Sequence, residues 1–333
     1  MRALLFEDVP RAALWWLSGL LLVLICAPLI ANDYLLSLLI LILYFAYVGQ
    51  AWNIMMGFAG QLSLGHSLYV GLGAYTAAAL FVHFEIAPWL GLIAAVGIAT
   101  AVGCAIGYLG FRFGVKGVYF ALLTIAVAEF TRILFDHFGW VGGSSGLFLP
   151  VENRTDNDLL TLRGSPTMFF YVILFLTSAA LIANHVLLRS RVGYYWLAIR
   201  EDQDAAEAVG VPVFKYKMIA VALSAAMTSL GGVFYAFYYN NLYPHNIFSM
   251  HKSIEIILAP IIGGLGTLFG PILGAFVLTS VGETLTLMTE GFALDGVKAL
   301  VYGICLLLIV FFRPSGLWPW LRRLLIRDRG RRQ

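Results

Sequence analysis

The chain of 333 residues is too apolar for a water-soluble protein, with 61% hydrophobic and 12% charged residues and a mean hydropathy of +0.87. The formal net charge of +3 is small, and nucleic acid is not expected as a partner. Composition therefore excludes a water-soluble fold and predicts a protein that spans a bilayer.

Apolar segments follow one another along the whole chain. The 51 residues between Asp33 and Glu85 contain no Asp, Glu, Lys or Arg, and because one transmembrane helix needs about 20 residues, at least two crossings fit there. We predict an all-α polytopic membrane protein, with about ten transmembrane helices in one domain, 1–333. The other charge-poor or apolar runs are 14–31, 85–112, 117–135, 163–189, 217–252, 255–283 and 296–312.

The first apolar run has a second interpretation. Residues 12–31 follow Arg2 and Arg11, as the apolar part of a cleaved signal peptide would. However, the run is nearly long enough to cross a bilayer, and no small-x-small cleavage pattern follows it. A first transmembrane helix is the favoured interpretation.

A polar but uncharged segment lies in the middle of the charge-free run. Its glycines predict a helix break, and backbone released from a helix at membrane depth is tolerated only where protein or a water-filled cavity satisfies it. Close helix packing through small residues is an alternative reason for the same glycines. A lone histidine is more often structural than a proton carrier, and we predict no metal site. The candidates for a translocation path are Asn53, Gly57, Gly60, Gln61, Ser63 and His66.

Acidic residues inside apolar runs are costly in lipid and often functional. Glu129 precedes Arg132 by three residues, and Lys252 precedes Glu255 by the same spacing, which permits an ion pair on one helix face in each case. We predict two stabilising pairs, and this inventory of acids disfavours a proton-coupled carrier.

The segment 137–166 is predicted to be a solvated loop on the outer side. It contains the glycine-rich run 142–146 and then a polar run, 152–158, both typical of turns. Docking of an external partner and a passive connection remain equally open for this loop.

A short acidic helix is predicted in the basic loop 189–217. Asp202 is a plausible N-cap, Asp204 and Glu207 suit the positive end of the helix, Gly210 suits the left-handed position after it, and Pro212 prevents continuation. The pattern predicts about two helical turns.

One side of that helix is expected to be small and apolar. Ala205, Ala206 and Val209 are expected to share a face narrow enough to fit a groove on a partner protein.

A second glycine-rich stretch, 263–274, loosely repeats the pattern of the first one. It predicts another turn between two spans. The similarity hints at an internal repeat, although the expected topology gives both stretches the same orientation.

The distribution of basic residues predicts the orientation. Sixteen of the 21 Lys and Arg residues, including those of the tail 313–333, fall on one side of a ten-helix topology. By the positive-inside rule this side is the cytoplasm, with both termini on it. Contact with anionic lipid headgroups is the simplest explanation of the tail.

The sequence resembles a known family over essentially the whole chain. The resemblance is greatest in three segments, 53–73, 196–210 and 263–274. The sequence is similar to the larger, M-type permease of the branched-chain amino acid ABC importers. Asp204-Ala205-Ala206-x-x-x-Gly210 also resembles the Glu-Ala-Ala-x-x-x-Gly motif of importer permeases, with Asp in place of Glu.

The resemblance implies a type II importer fold in a bacterial inner membrane. It implies a second, homologous permease subunit, two cytoplasmic ATPases that bind ATP and Mg, and a periplasmic solute-binding protein as partners. The chain has no phosphate-binding loop, so we expect neither enzymatic activity nor a directly bound cofactor. The expected ATPase-coupling residues are Arg200, Glu201, Asp202, Asp204, Ala205, Ala206, Glu207, Val209 and Gly210.

Branched-chain amino acids are the expected cargo of such a permease. Urea, amides and small organic acids are the alternatives within the same class. A carrier or channel that acts alone comes second, and a membrane scaffold without transport comes third.

Overall fold

The computed structural model describes residues 11–150, 157–289 and 297–327. Arg2, part of the polar run 152–158 and the last residues of the basic tail, 328–333, lie outside the described residues.

Helices form most of the described chain. A two-residue antiparallel pair, β1 (Leu147–Phe148) with β2 (Asn241–Leu242), is an element that the all-α prediction lacks. The helices are α1 (Arg11–Ile30), α2 (Asp33–Asn53), α3 (His66–Phe84), α4 (Pro88–Arg112), α5 (Val118–His137), α6 (Pro166–Arg189), α7 (Arg191–Glu201), α8 (Gln203–Ala208), α9 (Val213–Tyr239), α10 (Pro244–Ile247), α11 (Met250–Gly263), α12 (Gly270–Thr289), α13 (Val297–Phe312) and α14 (Leu317–Arg327).

Local sequence accounts for many of the helix ends. The side chains of Asn32 and Ser249 accept hydrogen bonds from the first turns of α2 and α11. Pro88 and Pro166 occupy the first turns of α4 and α6, where the missing N–H has no helical partner. Asn240, in the left-handed conformation with φ 59°, ends α9.

Seven helices in the described part of the chain are long and apolar enough to cross a membrane. They are α2 with its C-terminal extension to Phe58, α3, α4, α5, α6, α9 and the first 18 residues of α12. α1, α11 and α13 fall outside this set, and α11 and α13 have only 14 and 16 residues. The chain is therefore a helical membrane protein with several spans, as its composition predicts.

The interior is built around α2, α3 and α9. α3, α4 and α9 all pack against one another, while α2 packs against α6 and α12. In the most apolar 18-residue stretch of each helix, the buried share is 72% in α2 and 67% in α3, but only 22% in α5. α5 is thus a peripheral helix, and most of its surface faces away from the chain.

Glycines allow α3 and α9 to approach at backbone distance. A Cβ on Gly232 of α9 would overlap the carbonyl oxygen of Val70, and a Cβ on Gly73 of α3 would overlap that of Ser229. Small residues at such crossings are the usual means of packing helices in lipid.

We predict that Gly232→Ala destabilises the protein, because α3 and α9 must separate to admit the methyl group. Overpacking of this kind costs about 1–3 kcal/mol. Gly97→Ala on α4 is the matched control, because a Cβ there meets no described atom within 4 Å. Thermal unfolding in detergent should show a lower midpoint for Gly232→Ala only, and equal midpoints for both variants would contradict the proposed crossing.

Candidate functional site

The predicted helix break after Asn53 is confirmed. α2 ends in a π-helical turn, Ile54–Phe58, and no regular structure follows until α3 begins at His66. Gly60 has φ +69°, a conformation that glycine adopts without strain. The break therefore releases backbone groups that need partners elsewhere in the chain.

The side-chain amide of Asn53 joins this break to the second glycine-rich stretch. Its Nδ2 donates to the carbonyl oxygen of Thr267 at 3.0 Å, and its Oδ1 accepts from the backbone N–H of Gly266 at 2.9 Å. Gly266 has φ +73° and lies in the turn between α11 and α12. The two stretches that resemble each other in sequence are thus in direct contact.

Arg200, in the last turn of α7, contacts the first helix break beside Asn53. Its Nη1 donates to the carbonyl oxygen of Gly57 at 2.7 Å, and its Nη2 pairs with Glu201 at 2.9 Å. A Cβ on Gly60 would lie 3.1 Å from Cα of Arg200, and a Cβ on Gly266 would overlap the guanidinium. We call the residues that meet here the Asn53–Arg200 junction: Asn53, Gly57, Gly60, Arg200, Gly266 and Thr267.

His66 lies in a hydrogen-bonded chain next to the break. Ser63 Oγ is 3.1 Å from Nδ1, and Ser224 Oγ is 2.8 Å from Nε2. Because the Ser224 hydroxyl donates to the carbonyl oxygen of Ala51 at 2.8 Å, Nε2 of His66 must be the donor and Nδ1 the acceptor. A buried, neutral histidine with both nitrogens bonded acts here as a structural residue.

The residues predicted for a translocation path lie in the break and at its two ends. Five of them are buried and Gly60 is partly exposed. Gln61 donates to the carbonyl oxygen of Ala59 at 2.9 Å, so the side chains of Asn53, Gln61, Ser63 and His66 all bond within the chain. Their role in a path stays a prediction.

The short acidic helix has the predicted bounds. Asp202 Oδ1 accepts from the N–H groups of Asp204 at 2.9 Å and Ala205 at 3.0 Å, and Gly210 has φ +88°. An N-cap of this kind stabilises a helix by about 1 kcal/mol. The resulting helix, α8, has six residues.

The predicted apolar face of α8 is wrong in one respect. Ala206 is 4% exposed and packs with Ile199, Val211 and Val213 of its own chain. Ala205 is exposed, and Val209 is 81% exposed. Successive helical residues turn by about 100°, so Ala205 and Val209 share a face that Ala206 does not. Ala206 attaches α8 to the protein instead of offering it to a partner.

Two lysines also hold α8 to the membrane helices. Lys116, between α4 and α5, pairs with Asp204 at 3.0 Å, an exposed contact that contributes little energy. Lys217 is buried, donates to Gln203 and lies 5.2 Å from the ring centre of Phe111. Sequence reasoning missed Lys217 and Gln203, although a lysine at the start of a long apolar span was a visible signal.

The solvent-facing side of this segment is acidic. Glu201, Asp202, Asp204 and Glu207 are all exposed, whereas Arg200 is turned partly inward toward the junction. The geometry therefore combines an acidic outer surface with an inner attachment to interrupted helices in the membrane.

The model of the family described as "Branched-chain amino acid transport system / permease component" matches residues 34–311. The chain belongs to this family of permeases. The match includes both helix breaks and the whole of α7 and α8, and it confirms the family resemblance of the sequence. No solved structure matches the permease.

Curated relatives agree with this membership. The high-affinity branched-chain amino acid transport system permease protein LivM of Escherichia coli K12 is 27% identical over 328 residues, 92% of this chain and 75% of LivM. The corresponding protein LivH of Salmonella typhimurium is 24% identical, over 82% of this chain and 90% of LivH. The autoinducer 2 import system permease protein LsrC of Yersinia pseudotuberculosis is 25% identical, over 69% of this chain and 65% of LsrC.

We predict that Asn53→Leu destabilises the permease, because it leaves the Thr267 carbonyl and the Gly266 N–H without their partner. Each unsatisfied buried group costs about 1–3 kcal/mol. Gln50→Met is the matched control: Gln50 is equally buried one turn earlier on α2, its Oε1 has no hydrogen-bond partner among the described residues, and its Nε2 makes one long bond, 3.5 Å, to the carbonyl oxygen of Thr177. Thermal unfolding in detergent should show a lower midpoint for Asn53→Leu than for Gln50→Met. Equal midpoints would show that the Asn53 amide contributes nothing to stability.

Proposed function

We propose that the protein is the transmembrane permease subunit of an ATP-driven importer, which passes branched-chain amino acids from a periplasmic binding protein to the cytoplasm. The observation that carries the proposal is the Asn53–Arg200 junction, where Arg200 bonds the loop that bears α8 to the first helix break and Asn53 bonds that break to the second. The names of the relatives LivM and LivH support the choice of cargo.

The proposed topology has ten crossings of a bacterial inner membrane. It adds α1, α11 and α13 to the seven spans above, and it gives the type II importer fold with both termini on the side of α7 and α8. The asymmetry of basic residues supports the assignment of that side to the cytoplasm.

In this proposal α8 is the contact with a cytoplasmic ATPase. Ala205, Val209 and the acidic side chains form the contacting surface. Ala206 and Arg200 make the internal attachments, so displacement of α8 by the ATPase would move the junction with it. Because the junction connects α2, α11 and α12, closure of the ATPases would shift these helices as bodies and alter the route between the permease subunits.

The proposed complex contains a second, homologous permease, two ATPases that bind ATP and Mg, and the binding protein. The residues proposed to lie along the translocation path are Asn53, Gly57, Gly60, Gln61, Ser63 and His66. Urea, amides and small organic acids remain the alternative cargo, and the import system of LsrC supports a wider range within the family.

A different cavity in the chain suits lipid better than an amino acid. It has a volume of about 530 Å³ and lies among α4, α6, α9 and the loop before α6. Its walls are almost entirely apolar, with Trp89, Met168, Phe175 and Phe234 among them. Such walls offer no charged partner for an ammonium or carboxylate group, and the polar residues among them are Asn157, Thr167 and Tyr171.

We expect Gly210→Val to uncouple ATP hydrolysis from uptake. The left-handed backbone at this position disfavours a β-branched residue by about 1–2 kcal/mol, so the end of α8 should reorganise. Gly210→Asn is the control, because Asn tolerates this conformation, and a Cβ here meets no described atom within 4 Å. In proteoliposomes, only the valine variant should lose uptake and the stimulation of hydrolysis by substrate, while its basal hydrolysis persists. Normal coupling in both variants would contradict the assignment of α8.

The proposed function is tested by reconstitution. The permease is purified with its neighbouring subunits, and uptake of labelled leucine, isoleucine and valine is measured with and without ATP and the binding protein. We expect uptake only with the ATPases, ATP and the binding protein together. Uptake by this chain alone would identify a stand-alone carrier or channel. A binding protein that prefers urea or an organic acid would show that the cargo is not a branched-chain amino acid.

A further inference from the structure

A carboxylate lies exposed near the middle of a membrane span. Glu129 is the twelfth of the 20 residues of α5, a helix about 30 Å long, close to the thickness of the hydrocarbon core. Its side chain is 47% exposed. The surrounding surface of α5 is apolar, with Leu122, Phe130 and Ile133 exposed beside it.

Glu129 belongs to a triad of charged groups on that helix. Arg132 bonds Glu129 Oε1 through Nε at 2.9 Å and Nη2 at 2.6 Å. Its Nη1 bonds Asp136 Oδ2 at 2.7 Å. The predicted pair is confirmed, and the third member, Asp136, gives the triad a formal charge of one negative unit.

The second predicted pair, Lys252 with Glu255, is much less exposed than Glu129. Lys252 and Glu255 are 3.3 Å apart, and their side chains are 15% and 14% exposed. Lys252 lies 4.9 Å from the ring centre of Phe45 and 5.3 Å from that of Tyr235. The chain thus shields this pair with aromatic rings and leaves the Glu129 side chain exposed.

Lipid is a poor environment for the open face of α5. Ionisable residues within membrane spans normally face a bundle interior or a water-filled cavity. The long side chain of Arg132 extends toward Asp136 and the C-terminal end of α5. Glu129 lies about one turn further from that end, and its shorter side chain cannot reach the membrane–water interface. The exposed side of Glu129 therefore requires water or another protein.

The helix that bears the triad, α5, is bonded to the outer loop and to the first helix break. At the outer end, the hydroxyl of Ser144 in the glycine-rich loop donates to the carbonyl oxygen of Asp136 at 3.0 Å. At the other end, the N–H of Leu64 donates to Thr124 Oγ1 at 3.1 Å, which joins the first helix break to α5. Leu64 is partly exposed. α5 thus contacts the outer loop near one end and the first break nearer the other, and Thr124 faces the interior of the chain while Glu129, about 140° around the helix, faces outward.

We propose that this face of α5 lines a water-filled route between the chain and the second permease, and that the triad receives the charged ends of a zwitterionic amino acid. The inference rests on the proposed function and deepens it. Glu129 would bind the α-ammonium group, and Arg132, which already serves two carboxylates, would exchange one of them for the α-carboxylate. The net negative charge disfavours small organic anions, and a neutral amide or urea would lack the ammonium group that Glu129 binds.

The test is thiol accessibility in the reconstituted complex. Glu129→Cys is placed in a background in which Cys26, Cys104 and Cys305 are replaced by Ala. Ile98→Cys on α4 is the control, because Ile98 is 45% exposed and also lies near the middle of its helix. We expect a membrane-impermeant thiosulfonate to label position 129 at least about tenfold faster than position 98. Leucine delivered by the binding protein should slow that labelling.

Labelling at position 129 no faster than at position 98, or unchanged by leucine, would overturn the inference. ATP-dependent uptake by the background complex is measured separately, so failure of the proposed function is distinguishable. If that uptake is absent but labelling is fast, the face is wet and the transport assignment fails.

Charge at position 129 provides the second test. Glu129→Gln should lose about tenfold in uptake per assembled complex while ATP hydrolysis persists. Glu129→Asp, which keeps the charge, should retain most of the uptake. Asp33→Asn, at an exposed position in the first turn of α2, controls for loss of an acid elsewhere. Wild-type uptake in Glu129→Gln, or reduced assembly with normal uptake per complex, would assign Glu129 a purely structural role.

Discussion

The side-chain amide of Asn53 holds together two interruptions of helical backbone, each between two proposed spans. The backbone groups released there lie mostly inside the chain, away from water, so each interruption must be closed by protein. An amide can donate and accept at once, and Asn53 does both, to Thr267 and from Gly266. The guanidinium of Arg200 then satisfies the carbonyl oxygen of Gly57. The relative positions of α2, α11 and α12 depend on these contacts.

The same contacts place the loop that bears α8. Arg200 is one residue from the end of α7, and Asp202, two residues later, caps α8. Gly60 and Gly266 lack a side chain where Arg200 lies against them: a Cβ on Gly266 would overlap the guanidinium, and a Cβ on Gly60 would lie only 3.1 Å from Cα of Arg200. Hydrogen bonds in a low-dielectric interior resist displacement. In our proposal this short connection transmits movement from an ATPase to the interrupted helices, and the open charged face of α5 borders the route that they control.

Local patterns predicted the parts of the site that depend on local chemistry. Glycine content predicted both breaks, Asp202 and Gly210 predicted the bounds of α8, and the spacing of Glu129 and Arg132 predicted their ion pair. Long-range partners could not be read from the chain. Asn53 and Gly266 are 213 positions apart, and His66 and Ser224 are 158 apart. The direction of Ala206 was also hidden, because an alanine suits a buried and a partner-facing position equally.

The rigidity of the Asn53–Arg200 junction is tested most directly by one intramolecular distance. Spin labels are placed at Val209 and Leu265, which are exposed near α8 and in the second break, and their separation is measured in the complex without nucleotide and with ATP trapped. The account predicts the same distance in both states and a broadened distribution after Arg200→Ala. A distance in the unaltered permease that changes with nucleotide would contradict it, because α8 would then move independently of the helix breaks.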